Sequence, residues 1–300
     1  MASQSGRAAL GSGRTRAETV GALVRSTLRA MRRNPTMAAG IAIVVVMALM
    51  AIFAPLLFTG DPSAVAPRER FTPPSSGNWF GTDNIGRDLW SRVLFGSRVS
   101  MTVGAAVAVI SVLSSIVFGL LAGYYRRLDA VIMRFMDGLM AIPSVLLAMA
   151  LMALLGGSVQ NVIIALCVVE TPRAVRIVRA SVLSIREEMF VDAAHALGVP
   201  PPRILRTHIL PNTFAPLIVQ ASFIAASAVL VEAYLSFVGA GPPPEVPSWG
   251  NIMAEGRHYI SRFVWMIVFP GIFLTLTVLG INLAGDGLRD SLDPKLRSRM

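Results

Sequence analysis

Cysteine and lysine are almost absent from this 300-residue chain, and each absence excludes a class of protein. Cys167 is the only cysteine, so the chain has no internal disulfide and no cysteine-based zinc site. A phosphate-binding P-loop needs glycine followed by Lys-Ser/Thr, whereas the only lysine, Lys295, sits in DPKLR without a preceding glycine. The chain is therefore not a Walker-type ATPase, and any ATP that drives it is hydrolysed on another subunit.

Charged residues are also scarce, at 15%, against 54% hydrophobic residues and a mean hydropathy of +0.63. This composition argues against a soluble globular domain. Apolar runs of roughly 20 residues, enough to cross a hydrocarbon core of about 30 Å, recur along the chain. They predict an all-α polytopic membrane protein. We expect six membrane spans, at residues 37–58, 99–123, 131–155, 161–182, 213–238 and 263–284.

The net charge of +10 comes from arginines that flank the apolar runs, which indicates membrane topology rather than nucleic-acid binding. With the N-terminus inside, the inner segments carry 20 Arg and Lys residues and the outer segments carry 7. Both termini are therefore predicted to be cytoplasmic. Residues 1–36 would be a cytoplasmic tail, 37–285 the membrane domain and 286–300 a second tail. Within the first tail, residues 17–33 would form either an interfacial amphipathic helix or a solvated basic segment.

Residues 60–97, between the first two spans, are too polar to enter lipid and too long for a simple turn. They are predicted to be extracytoplasmic. Residues 88–95 favour a short helix, in which Asp88 and Arg92 form a pair four residues apart. Gly96 would end this helix. Its apolar residues would pack against the spans: Leu89, Trp90, Val93 and Leu94.

The polar segment 184–212 lies between the fourth and fifth predicted spans, on the cytoplasmic side. Ser184 and Glu187 have the spacing of a capping box, which predicts a helix start. Gly198 is the expected stop of that helix. Apolar and small residues recur on it at helical spacing: Met189, Phe190, Ala193, Ala194 and Leu197.

The prolines at 200–202 cannot extend the first helix but can open a second one at its N-terminus. This second helix would cover residues 203–210 and end before Pro211. The sequence therefore predicts two short helices joined by a tight corner outside the bilayer.

Part of this segment resembles the signature loop of ABC-importer membrane subunits, E-A-A, three residues, G, nine residues, I, one residue, L-P. The matching residues here are Asp192, Ala193, Ala194, Gly198, His208, Leu210 and Pro211. The spacing is intact, although Asp replaces Glu and His replaces Ile. Further runs resemble the second permease subunit of dipeptide, oligopeptide and nickel systems: residues 33–35, 53–57, 78–100, 233–257 and 281–297.

The resemblance implies the six-span architecture of a type I ABC-importer permease in the bacterial cytoplasmic membrane. It implies four partner subunits of three kinds besides membrane lipid: a homologous permease, two ATPase subunits, and an extracytoplasmic substrate-binding protein. ATP and Mg would be bound by the ATPases, so that this chain would hold no cofactor and bind no nucleic acid. Extracytoplasmic contacts would come from Asp83, Arg87, Asp88 and Trp249.

In that family the signature loop docks into a cleft on the ATPase. The coupling residues implied here are Glu188, Asp192, Ala193, Ala194, His195, Leu197, Gly198, Leu210 and Pro211. The cargo implied is a dipeptide or an oligopeptide, moved by alternating access. Three alternatives stay open: carriage of another small solute such as a nickel chelate, an ATP-independent channel or secondary carrier, and a membrane scaffold without solute flux.

Charged residues inside predicted spans mark further candidate sites, because each costs about 2.5 to 3.5 kcal/mol at a helix centre. Glu170, Arg173 and Arg176 recur at every third residue of the fourth span. Either this span ends early and continues into the cytoplasm with a Glu170–Arg173 pair, or the face lines a water-filled pathway. In the second case it would touch the charged ends of a passing peptide.

Glu232, toward the outer end of the fifth span, would either pair with an outer-loop arginine such as Arg87 or Arg92, or face the pathway near its outer gate. In the third span, Asp137 is predicted to pair with Arg134 or Arg126. Pro143 is predicted to bend that span.

No enzyme active site is expected, since the sequence has no HExxH, no nucleophile elbow and no paired catalytic carboxylates. Two of the three histidines, His195 and His208, lie in the signature loop, and His258 lies in an outer segment. They cannot form one metal site, so we expect none.

Overall fold

The computed structural model of the chain describes residues 34–57 and 60–292, and regular secondary structure within these ranges is helical. The predicted amphipathic helix at 17–33 lies outside the described residues. The helices are α1 (Pro35–Ile52), α2 (Leu89–Tyr124), α3 (Arg126–Met140), α4 (Ser144–Leu155), α5 (Val159–Arg186), α6 (Met189–Ala196), α7 (Pro201–Ile204), α8 (Leu210–Val238), α9 (Trp249–Gly256) and α10 (Trp265–Leu292).

Four of the described helices are long and apolar enough to cross a membrane: α1, α2, α8 with the turn and helix before it, and α10. The third predicted span is a bent pair, because α3 and α4 meet at 90°. The break falls at residues 141–143, so the predicted bend at Pro143 is confirmed. The fourth predicted span corresponds to α5. This helix is long enough to cross a membrane, but its charged residues make it too polar to be one of the four helices above.

Helix α2 lies at the centre of the helix packing and contacts α1, α5 and α8. Three of its glycines allow close approach. A Cβ built on Gly104, Gly119 or Gly123 would lie only 2.5–2.6 Å from a valine side chain of α8 or α5. Small residues at helix crossings are the usual device for tight packing inside membranes, where the hydrophobic effect does not drive helices together.

The prediction of a short helix ending at Gly96 is wrong, because α2 continues from Leu89 to Tyr124. A single glycine costs a helix only about 1 kcal/mol relative to alanine. Burial of one face of α2 at Leu89, Val93 and Leu94 outweighs that cost. The predicted burial of these three residues is confirmed, and Trp90 is half-buried with its Nε1 donating to the Leu57 carbonyl at 3.0 Å.

Candidate functional site

The segment that matches the signature loop begins where α5 ends. The predicted capping box is wrong, because Ser184 lies in the last turn of α5 and Glu187 is the residue that caps its C-terminus. Packing of Val182 and the half-buried Ile185 inside the protein keeps this turn helical. Helix α6 instead begins at Met189, and its N-cap residue Glu188 makes no side-chain capping bond.

The corner after α6 has the geometry predicted for Gly198. This residue has φ of +73°, in the left-handed region where glycine has no steric penalty. Its N–H donates to the His195 carbonyl at 2.9 Å, and the N–H of Val199 donates to the Ala194 carbonyl at 3.1 Å. These two bonds are those of a Schellman motif, so Gly198 is the predicted helix stop.

The second half of the loop differs from the prediction at Pro211. Helix α7 opens on Pro201 as expected, with Pro200 in the cap position. The chain then makes a π turn over Leu205–Ile209 and continues into α8 through Pro211 without a break. A proline lacks the N–H of the helix ladder and its ring crowds the preceding turn, and a widened π turn accommodates both defects.

The inner face of the loop is anchored to the ends of the long helices. Its buried apolar side chains share one cluster with residues of α5 and α8: Val191, Ala194, Ile204, Ile209, Val178, Val182 and Leu217. The Tyr124 hydroxyl at the end of α2 lies 3.3 Å from Nε2 of His195. Movement of this loop is therefore mechanically connected to three long helices.

The outer face of α6 is apolar and exposed. Met189 is 86% exposed, Leu197 is 82% exposed and Phe190 is 45% exposed. Together with exposed Ala193 they form a stripe on one side of the helix, which we call the α6 stripe. Of the five residues predicted for the apolar face, only Ala194 is buried, and the other four point away from the protein. A clustered exposed apolar surface is typical of a protein–protein contact.

The remaining candidate coupling residues lie around this stripe. Ala194 is buried and Leu210 is half-buried. The others are exposed: Glu188, Asp192, His195, Gly198 and Pro211.

At the outer end, four charged side chains form one network, in which two side chains are buried and two are half-buried. Asp83 is fully buried and accepts from Arg87 Nε at 2.5 Å and from Arg92 Nη1 at 2.7 Å. Both arginines also contact the Glu255 carboxylate, with Arg92 Nη2 at 3.0 Å from Oε1. Glu255 is not among the residues predicted from the sequence. The network fastens the segment 60–97 to α9.

Two effects act on the Asp83 carboxyl. Burial by itself would raise its pKa, but the Arg92 guanidinium and the backbone N–H groups of Ile85 and Arg87 stabilise the carboxylate. The pKa of Asp83 therefore lies below its ordinary value.

The predicted Asp88–Arg92 pair is wrong. Asp88 instead caps α2, accepting from the Ser91 N–H at 2.8 Å, while Arg92 turns to the network. Trp249 is fully buried and donates from Nε1 to the Val93 carbonyl at 3.1 Å. Asp83 and Trp249 therefore hold the outer segment together and are not on the chain's accessible surface.

Glu232 has neither of the arginine partners predicted for it. It is fully buried, and its carboxylate accepts from Ser100 Oγ at 2.9 Å and from Ser236 Oγ at 2.8 Å. Ser248, the N-cap residue of α9, is a third hydroxyl partner. Glu232 thus joins α2, α8 and α9, and it does not line an open surface of this chain.

The charged residues of α5 also pair differently from the prediction. Glu170 accepts from Ser227 Oγ at 2.7 Å and makes no pair with Arg173. Asp137 pairs with Arg176 at 2.7 Å, not with an arginine of its own helix. This pair is 50% and 55% exposed, so its charges face outward from the chain. The periodicity of a single helix does not predict these pairs, because the partners come from distant segments.

No group of three or more metal-ligating side chains occurs in the part of the chain that the structure describes.

Comparison with known proteins places the chain among transport components. The model of a family described as binding-protein-dependent transport system inner membrane component matches residues 115–298, more than half of the chain. A second model, described as the N-terminal TM domain of oligopeptide transport permease C, matches residues 23–74.

Curated relatives match over nearly the full length. A putative peptide transport system permease protein of Brucella abortus is 48% identical, over 90% of this chain and 92% of that protein. The dipeptide transport system permease protein DppC of Alkalihalophilus pseudofirmus is 42% identical, over 91% and 90%. The oligopeptide transport system permease protein OppC of Bacillus subtilis is 37% identical, over 92% and 90%.

Proposed function

Because the chain belongs to the family of binding-protein-dependent transport system inner membrane components, we propose that it is the permease subunit that forms half of a peptide pathway in an ATP-driven importer. It is a multi-pass membrane protein whose long helices are packed through small residues. The relatives are named as peptide, dipeptide and oligopeptide permeases, which supports a peptide as the cargo.

The proposed coupling mechanism rests on one observation, the exposed apolar surface of the α6 stripe. Met189 and Leu197 expose most of their apolar surface at a loop whose other face is anchored to three long helices. Burying such surface against a partner contributes about 25 cal/mol per Å². An ATPase that clasps this stripe and closes on ATP would pull on α2, α5 and α8 together.

Membership of the family supports the proposed partners, and the missing P-loop lysine supports the ATPases among them. Two partner ATPases would bind ATP and Mg and carry out the hydrolysis. A homologous permease would form the other half of the pathway, and an extracytoplasmic binding protein would deliver the cargo. The excess of arginine in the inner segments supports cytoplasmic termini and an inner-membrane location.

The pathway would run along the exposed face in the second half of α5. Arg176 and Asp137 expose half of their side chains, and charges at membrane depth are costly unless they face water or a partner. Arg173 on the same helix is exposed as well. We therefore assign Arg173 and Arg176 to the pathway wall, whereas the buried Glu170 and Glu232 hold helices together behind it.

Uptake of labelled dipeptides and tripeptides by cells that produce the complete transporter tests this function. We expect uptake that stops when the partner ATPase is inactivated. Peptide uptake that persists without ATP hydrolysis would favour a channel or secondary carrier. Absence of any flux would favour a scaffold, and uptake of a nickel chelate without peptide uptake would reassign the cargo.

A further inference from the structure

One face of α5 is covered in its first half and open in its second half. Val162 and Leu166 on this face are fully buried in a cluster with Ala148 and Met152 of α4. The same helical stripe continues toward the C-terminus of α5 with residues that are all exposed: Arg173, Arg176, Ala180 and Ser184.

The break between α3 and α4 explains why the cover ends. Helix α4 has 12 residues and is therefore about 18 Å long, enough to cover only the first dozen residues of the antiparallel α5. At Pro143 the chain bends by 90° into α3, which meets α5 again at the Asp137–Arg176 and Asp129–Arg179 pairs. Arg173 is the first residue with a charged side chain on the stripe past the part that α4 covers, and it comes before the first of these pairs.

Arg173 also differs from the other arginines of α5 in its contacts. Arg176 pairs with Asp137, Arg179 with Asp129, and Arg186 donates to the carbonyls of Gly123 and Tyr124. For Arg173, the residues at 34–57 and 60–292 provide no ion pair and no hydrogen bond to its guanidinium.

Arg173 lies at a depth in the membrane where an exposed charge requires a polar partner. It lies 14 positions after Val159, the first residue of α5, or about 21 Å along the helix axis. A hydrocarbon core is about 30 Å thick, so a helix that enters at Val159 places the guanidinium within it. A cation at that depth requires water or an anionic partner.

We propose that Arg173 binds the C-terminal carboxylate of the peptide in transit, an inference that rests on the function proposed above. Every linear peptide with a free C-terminus carries this group, whatever its side chains. A guanidinium presents two parallel N–H donors that match a carboxylate, and such charge-assisted bonds strengthen where water is excluded. A single arginine on the pathway wall would thus recognise peptides as a class without selecting their sequence.

The test uses the complete transporter with Arg173→Gln, Arg173→Lys and Arg127→Gln. Arg127 is an exposed arginine of α3 that lies outside the α5 face, so its substitution is the matched control. The probes are labelled trialanine, trialanine amide and Ala-Glu-Ala amide, which carry a terminal carboxylate, no carboxylate and a side-chain carboxylate. Maximal uptake rate and KM are measured for each, along with ATP hydrolysis.

We expect Arg173→Gln to lower the maximal rate for trialanine about tenfold or more, relative to its effect on the two amides. The KM should stay unchanged, since the partner binding protein receives the peptide first. Arg173→Lys should restore part of the rate because it keeps the charge, and Arg127→Gln should behave as wild type.

An equal fall for all three probes, or no fall, would overturn the inference and leave the peptide-import function intact. A selective fall for Ala-Glu-Ala amide would also overturn it, by assigning Arg173 to side-chain carboxylates. If the wild-type transporter takes up none of the three in an ATP-dependent way, the proposed peptide cargo fails first, and this inference fails with it.

Discussion

Replacing Gly198 tests the loop corner with little interference from packing. A Cβ built at this position meets no atom within 4 Å, so a larger residue has space. The cost comes from the backbone, because φ is +73° and an L residue in the left-handed region loses roughly 1–2 kcal/mol. Valine, with its branched Cβ, should lie at the upper end of this range or above it.

Alternatively, the substituted chain could leave the left-handed backbone conformation at position 198. It would then lose the bonds from Gly198 and Val199 to α6, which contribute about 0.5–1.5 kcal/mol each. Either way the native corner becomes less favourable by about 1–3 kcal/mol, and each 1.4 kcal/mol is a factor of ten in population. The main helix clusters do not include Gly198, so the subunit should still fold into the membrane.

We therefore expect Gly198→Val to be present in the membrane at normal amounts, with peptide uptake at least about tenfold lower while ATP hydrolysis persists. Gly198→Asn should be much milder, since asparagine visits the left-handed region. Gly77→Val, at an open outer site without positive φ, serves as the matched control. Wild-type uptake by the Val variant, or equal impairment by Asn and Val, would refute the reasoning.

Three further predictions concern the outer half of the protein. Arg92→Ala leaves the buried Asp83 and the half-buried Glu255 with one arginine fewer. This should lower the free energy of unfolding by about 3–5 kcal/mol and speed proteolysis of the outer segment. Unchanged cleavage would count against the network. Glu232→Gln should keep most of the thermal stability, whereas Glu232→Leu should lower it by about 1–3 kcal/mol, since three buried hydroxyls lose their acceptor. The pKa of Asp83 is lowered by folding, so its contribution to stability is present above the ordinary pKa of 3.8 and is lost as pH falls through the lower folded pKa. Thermal unfolding followed from pH 5 downward should show this loss in the wild type and a flatter profile in Asp83→Asn.

The sequence predicted the structure correctly where the backbone preferences of a single residue decide it. Gly198 stops α6, Pro201 opens α7 and Pro143 marks the bend, as their conformational limits require. Apolar runs likewise located the long helices. The signals failed at Ser184 and Gly96, where packing of the flanking apolar residues keeps the helix going past a residue that often ends one.

Side-chain partners were the part that sequence could not supply. The predicted Asp88–Arg92 pair and the partners predicted for Asp137 join nearby positions, but Arg92 meets Glu255 across 163 positions and Arg176 meets Asp137 across 39. Such pairs depend on which helices pack together, and helical periodicity gives the faces of single helices only. Glu232 illustrates the same limit, because its serine partners lie on three different elements.

The most direct test of the central claim is cysteine cross-linking from the α6 stripe. In a Cys167→Ala background, Leu197→Cys in the complete transporter should form a specific adduct with an ATPase subunit when a short bifunctional thiol reagent is added. Leu154→Cys is the matched control, since it is equally exposed, at 84% against 82%, but lies at the opposite end of the helices. An ATPase adduct from residue 197 and none from 154 is the result we predict. No adduct from residue 197, or its labelling by a membrane-impermeant reagent added outside intact cells, would contradict the account.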